Sequence, residues 1–216
     1  SVTHSCATRC LPGAAPGSKL VPARSAEKRP APDAMPTRRL KPQSDPQVLL
    51  LHIAIAGIDP PIWRIVAVPE TMTLEALHGT IQGVFAWFDY HLYAFEVNGK
   101  RFTGPDGREG NVGKAEDVTL ESLRLKKGAR FTYTYDFGDD WRHEIVLEAR
   151  TSLTDNASLP WCIGGERAGP LEDSGGPPGY DRLLKILADP DDPEHADMQV
   201  WAGPQFDAEA FDVRVI

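Results

Sequence analysis

The segment Tyr135-Asp136-Phe137-Gly138-Asp139-Asp140-Trp141-Arg142-His143 packs three carboxylates and a histidine around one turn. Carboxylate oxygens and an imidazole nitrogen are the groups that hold divalent cations or carry general acid–base steps. A second candidate lies in the Gly- and Pro-rich stretch from Pro160 to Gly179, which carries Trp161, Cys162, Glu172 and Asp173 and is followed by Tyr180. If that stretch folds over the turn, Glu172 and Asp173 join Asp136, Asp139 and His143 in one catalytic or metal-assisted pocket. The alternative is a non-enzymatic binding surface, in which Trp63, Trp141, Trp161, Cys162 and Tyr180 meet a protein or peptide partner.

Structural readings compete at each place. His143 also reads as a core histidine satisfied by a backbone carbonyl, with Asp139 and Asp140 serving turn geometry. His78 lies on an apolar helix face and His91 at the start of a strand. Neither has H-x-x-x-H or H-E-x-x-H spacing, so both read as packed. Cys6 and Cys10 form a C-x-x-x-C pair with no second pair nearby, which is weak as a zinc site. No G-x-S-x-G, G-x-G-x-x-G or G-K-[ST] motif occurs, so serine-hydrolase and phosphate-loop chemistry have no support here.

The elements that must position these residues follow from periodicity. Val48 to Ala56 and Ile62 to Val68 predict a hairpin joined by Gly57-Ile58-Asp59-Pro60-Pro61. Thr73 predicts an N-cap, and Leu74, Leu77, His78, Ile81, Phe85 and Phe88 recur at the spacing of one apolar helix face, with the helix itself over about 74–86. Leu92 to Val97 and Lys100 to Thr103 flank Asn98-Gly99, a strong hairpin turn. Arg130 to Phe137 and Trp141 to Ala149 alternate apolar and polar residues as a further hairpin. The stretch 160–179 shows neither period, and helices follow over 180–188 and near 192–199. The order predicts an α+β fold: a largely antiparallel sheet of hairpins, a main helix packed on one face, and short C-terminal helices.

The 216 residues carry a formal charge of -8, which averages two unlike parts. Residues 1–46 hold 8 basic and 3 acidic residues, or +5, leaving 15 basic and 28 acidic, or -13, for residues 47–216. The basic part holds 8 of the 19 prolines and no apolar period, so it predicts a disordered tail before a single domain over 47–216. Met35 precedes the first apolar run, and one expectation is that it is the biological start. No apolar run approaches the ~18 residues of a membrane helix, and three cysteines suit a reducing cytosol. Nucleic acid is disfavoured as a partner of the acidic part. Binding through the tail with Lys126, Lys127 and Arg130 would show a steep loss with salt.

Several ordered motifs resemble the plasmid pRiA4b ORF-3-like family. They are Pro60-Pro61-Ile62-Trp63-Arg64, Leu77-His78 with Ile81-Gln82, Trp87 with His91-Leu92, Tyr135-Asp136-Phe137-Gly138-Asp139 with Trp141 and His143, and Pro160, Cys162, Gly165, Glu172-Asp173, Gly175-Gly176 and Gly179-Tyr180. The resemblance runs from about Val48 to Ile216. Leu171 stands where a second proline is expected. The resemblance implies an α+β fold with an antiparallel sheet and an association with plasmids and insertion sequences. It implies no reaction, and the resolvase-like name attached to some members meets no serine-resolvase signature in this chain.

Overall fold

The computed structural model describes residues 47–107, 112–152 and 158–213. The expectations for the basic tail and for Met35 lie outside the described residues. Within them the chain runs β1 (Gln47–Ile55), β2 (Trp63–Pro69), α1 (Leu74–Phe85), β3 (Tyr93–Val97), β4 (Lys100–Thr103), β5 (Gly113–Lys114), β6 (Arg130–Tyr135), β7 (Trp141–Ser152), β8 (Trp161–Glu166), α2 (Gly176–Ala188) and α3 (His195–Ala202). The strands form one sheet in the order β5-β4-β3-β6-β7-β1-β2-β8, and only the short β4–β5 pair is parallel. The α+β expectation therefore holds.

Alternation decides which face of the sheet is covered. In β6 and β7, Phe131, Tyr133, Tyr135, Trp141, His143, Ile145 and Leu147 are buried. The intervening Thr132, Thr134, Arg142 and Glu144 are partly or fully exposed. Against the buried face lies α1, which contributes Leu74, Leu77, Ile81, Val84 and Phe85 to the same core. Truncating one such large side chain to Ala costs roughly 2–5 kcal/mol. The helix starts where Thr73 Oγ1 accepts the Ala76 N–H at 3.1 Å. It ends at Ala86, whose left-handed φ of 61° lets its N–H meet the Gln82 and Gly83 carbonyls.

The stretch 160–179 departs from expectation. Trp161–Glu166 is an edge strand paired antiparallel with β2, although Gly164-Gly165 and two exposed apolar residues, Trp161 and Ile163, erase its alternation. α2 begins at Gly176, four residues before Tyr180, with proline in its first turn, where a missing N–H costs nothing. What remains irregular is a strap over residues 167–175.

Candidate functional site

Three connections converge at one end of the covered face: residues 86–92 between α1 and β3, residues 136–140 between β6 and β7, and the strap. Backbone and side chains lock them together. The Asp136 N–H donates to the Leu92 carbonyl at 2.9 Å, which sets Asp136 beside His91. Trp87 Nε1 donates to the Pro170 carbonyl at 2.7 Å, and the Phe88 N–H donates to Glu172 Oε2 at 2.9 Å. The Gly175 N–H donates to Asp139 Oδ2 at 3.0 Å. Gly176 completes the seam: its φ is +67°, and a Cβ there would lie 2.2 Å from the Asp139 carbonyl oxygen. Only a residue without a side chain allows that approach.

Tyr135 is the hub beneath this junction. Its hydroxyl accepts the Tyr90 and His91 N–H groups at 3.0 and 3.4 Å and donates to Glu172 Oε1 at 2.5 Å. Burial raises the phenol's pKa well above its ordinary value, and the Glu172 carboxylate raises it further. The hydroxyl is therefore a proton donor throughout the working pH range.

At the surface of the junction the two ring nitrogens of His91 face opposite carboxylates. Nδ1 lies 3.6 Å from Asp136 Oδ2, and Nε2 lies 3.1 Å from Asp173 Oδ1. One ligand atom from each of the three residues lies within 4.8 Å of the others. The Asp136 side chain is 13 % exposed and that of Asp173 68 %, so the cluster has one sheltered carboxylate and one facing solvent. Both acidic residues take left-handed backbone, with φ of 53° and 59°, in turns that aim their side chains at His91.

His91 and Asp136 stand in the wall of a cleft of about 720 Å³ that also includes Glu75, His78, Asp89 and Asp106. His78 Nδ1 lies 2.7 Å from the Tyr133 hydroxyl and Nε2 lies 2.8 Å from Asp89 Oδ1. Gln82 Nε2 donates to the Tyr133 oxygen at 3.0 Å, so the phenolic proton is free to go to Nδ1 and the ring presents Nε2–H to Asp89. Burial lowers the His78 pKa, partly opposed by Asp89. The Asp89 N–H donates to Gln82 Oε1 at 3.1 Å, so both ends of Asp89 are held, and its side chain is 59 % exposed.

The sequence model of the family described as plasmid pRiA4b ORF-3-like protein matches residues 47–215. This chain belongs to that family. A relative, the uncharacterised protein y4hQ of Sinorhizobium fredii, is 36% identical over 158 residues, covering 72% of this chain and 81% of its own. The crystal structure of a protein of unknown function, MM3350 from Methanosarcina mazei Go1, aligns with a TM-score of 0.74 and 35% identity. That alignment covers 80% of this chain and 99% of MM3350.

In this pRiA4b ORF-3-like protein the structure brings Asp136 and Asp173 together, but with His91 rather than His143. His143 is wholly buried: Nδ1 meets the Trp141 carbonyl at 3.0 Å, while Nε2 is enclosed without a hydrogen-bond partner. Burial lowers its pKa to about 4, so it stays neutral in the core and out of reach of the strap carboxylates. Asp139 and Glu172 spend their carboxylates on the seam, at Gly175 and at Tyr135 and Phe88. Of the residues expected to meet a partner, Trp141 and Tyr180 are both 1% exposed and 6.5 Å apart as an edge-on pair, so neither presents a surface. Trp63 is half-buried and stacks on His52 at 5.3 Å. Trp161 is exposed, and with the half-buried Cys162 it lines a separate hollow of about 400 Å³. Burial raises the Cys162 pKa, which keeps it a thiol. Lys126, Lys127 and Arg130 are exposed, and Arg130 lies 3.5 Å from Glu144. No helix among the described residues is long and apolar enough to cross a membrane.

His91 was hidden from sequence reading because its partners are far along the chain. The usable signal was the run Asp89-Tyr90-His91 directly after the helix end, which pairs a carboxylate with an imidazole.

Proposed function

We propose that this protein binds a divalent cation through His91, Asp136 and Asp173, and that the cation serves metal-assisted acid–base chemistry in the adjoining cleft. The observation that carries this reading is that one ligand atom each from an imidazole and two carboxylates lie within 4.8 Å of one another beside a polar cleft. Mixed nitrogen and oxygen donors suit Mn²⁺, Fe²⁺ or Zn²⁺. Such a cation polarises an oxygen of a substrate or lowers the pKa of bound water. Asp89, held by His78, supplies a further carboxylate in the same cleft for proton transfer. Glu75, Asp89, Asp106 and Asp136 all face this cleft, which repels polyanions and favours a neutral or cationic substrate.

Calorimetric titration of the full chain, stripped with chelator, with Mn²⁺ and Zn²⁺ tests the site. Binding at 1:1 is expected, weakened at least about tenfold by Asp136→Asn or His91→Ala through loss of one ligand. No heat and no thermal shift with either cation, or binding that both variants leave intact, would defeat the proposal.

A second reading rests on Phe88 and Tyr90, 69% and 75% exposed and stacked at 5.8 Å beside the cleft. They suit an aromatic anchor for a peptide partner, in place of the buried Trp141 and Tyr180. Phe88→Ser with Tyr90→Ser should abolish capture of such a partner and leave cation binding unchanged.

A further inference from the structure

A buried cation stands elsewhere in the fold. Arg64, on β2, is only 2% exposed, and among the described residues no carboxylate pairs with it. Its Nε donates to the Val84 carbonyl in the last turn of α1 at 2.9 Å, and Nη1 donates to the Trp63 and Glu166 carbonyls at 2.8 and 2.9 Å. These bonds tie α1 to β2 and β8 and account for one side of the guanidinium. Nη2 makes no hydrogen bond with any described residue. The rings of Phe85 and Phe211 sandwich the group at 4.9 and 4.8 Å, and burial lowers its pKa to about 10.

Arg64 lines a cavity of about 850 Å³ whose walls include Val84, Phe85, Leu171, Phe206 and Phe211. That volume lies in the range of small-molecule sites, which pair an apolar lining with a few placed polar groups. Two carboxylates also border it. Asp207 accepts the Glu209 N–H at 2.9 Å, and Asp212 has an interaction of its own. A buried charge normally has a counter-charge, and among the described residues none pairs with this guanidinium, which borders a largely apolar chamber.

We infer that this cavity is a binding site for an apolar carboxylate, whose headgroup takes the free edge of Arg64 at Nη2 and whose body lies among the phenylalanines. The site is distinct from the cation cluster, being built from β2, the end of α1, the first half of the strap and the C-terminal segment.

Sodium octanoate and 1-octanol, titrated calorimetrically into the full chain, separate charge recognition from simple apolar filling. Octanoate is expected to bind at least about tenfold more tightly than octanol, the effect of one charge-assisted hydrogen bond. The preference should survive EDTA, which removes any cation from the other site. Ala168→Trp, which adds bulk to the chamber at another of its wall residues, should abolish octanoate binding while the circular dichroism spectrum is kept. Arg64→Met, where it folds, should make the two probes equal. Equal affinities in the wild type, no octanoate binding, loss of binding in EDTA, or full octanoate binding by Ala168→Trp would each overturn the inference.

Discussion

Replacing Tyr135 with Phe removes a single oxygen from the junction beneath the cluster. The side chain is 0% exposed, so the ring keeps its packing, and the change isolates the hydroxyl's bonds to Glu172, Tyr90 and His91. The bond to the Glu172 carboxylate is charge-assisted and contributes about 1.5–3 kcal/mol. The Tyr90 and His91 N–H groups sit near solvent and recover part of their loss from water. The expected destabilisation is about 2–3 kcal/mol, measured as the shift in urea midpoint at constant m-value. A double-mutant cycle with Glu172→Ala isolates the pair and should give a coupling of about 1–2 kcal/mol. A loss below about 0.5 kcal/mol, or no coupling, would refute the view that this hydroxyl pins the strap to the sheet.

Other outcomes follow from the same coordinates. Gly176→Ala would place a Cβ 2.2 Å from the Asp139 carbonyl oxygen at φ +67°, and should cost at least about 2 kcal/mol in urea unfolding. Gly83→Ala on α1 meets nothing within 4 Å and should stabilise by about 0.5–1 kcal/mol. For His143, whose folded pKa of about 4 lies below the ordinary value of about 6.5, the neutral form is favoured by folding. Its contribution is complete above about pH 6.5 and falls as pH drops toward 4, by about 3 kcal/mol. Unfolding of wild type and His143→Phe across that window should show a shallower pH slope in the variant, and identical slopes would refute the assignment.

Much of the fold was legible because burial writes a period into the chain. α1 and the β6–β7 pair are each covered on one face, and their apolar residues recur accordingly, while the β3–β4 hairpin was legible from its Asn98-Gly99 turn. β8 escaped because it is an edge strand with two glycines, and the start of α2 because Gly-Pro-Pro-Gly is poor helix sequence rescued by its seat on the Asp139 turn. At the site, the sequence singled out Asp136 from the 136–143 turn and Asp173 from the Gly- and Pro-rich stretch, and the two carboxylates lie near one histidine, His91. The alternation of β7 placed His143 inward correctly, but inward there is sealed core rather than pocket. His91 required knowing that the Asp136 N–H reaches the Leu92 carbonyl, a tertiary contact with no local trace.

The strap's seam gives the candidate site a lifetime of its own. Its ties to Trp87, Phe88, Tyr135 and Asp139 run through side chains and loop backbone and are no part of the strand ladders. Opening its 170–175 part therefore costs those few bonds and not the sheet, so the amides of Phe88 and Gly175 should exchange with deuterium faster than those of β1 and β7. Asp173 lies on the strap while His91 and Asp136 lie on the neighbouring loops, so opening of the strap would take the cluster apart. A cation that bridges Asp173 to His91 would slow that exchange, making the seam's amides a direct reporter of occupancy.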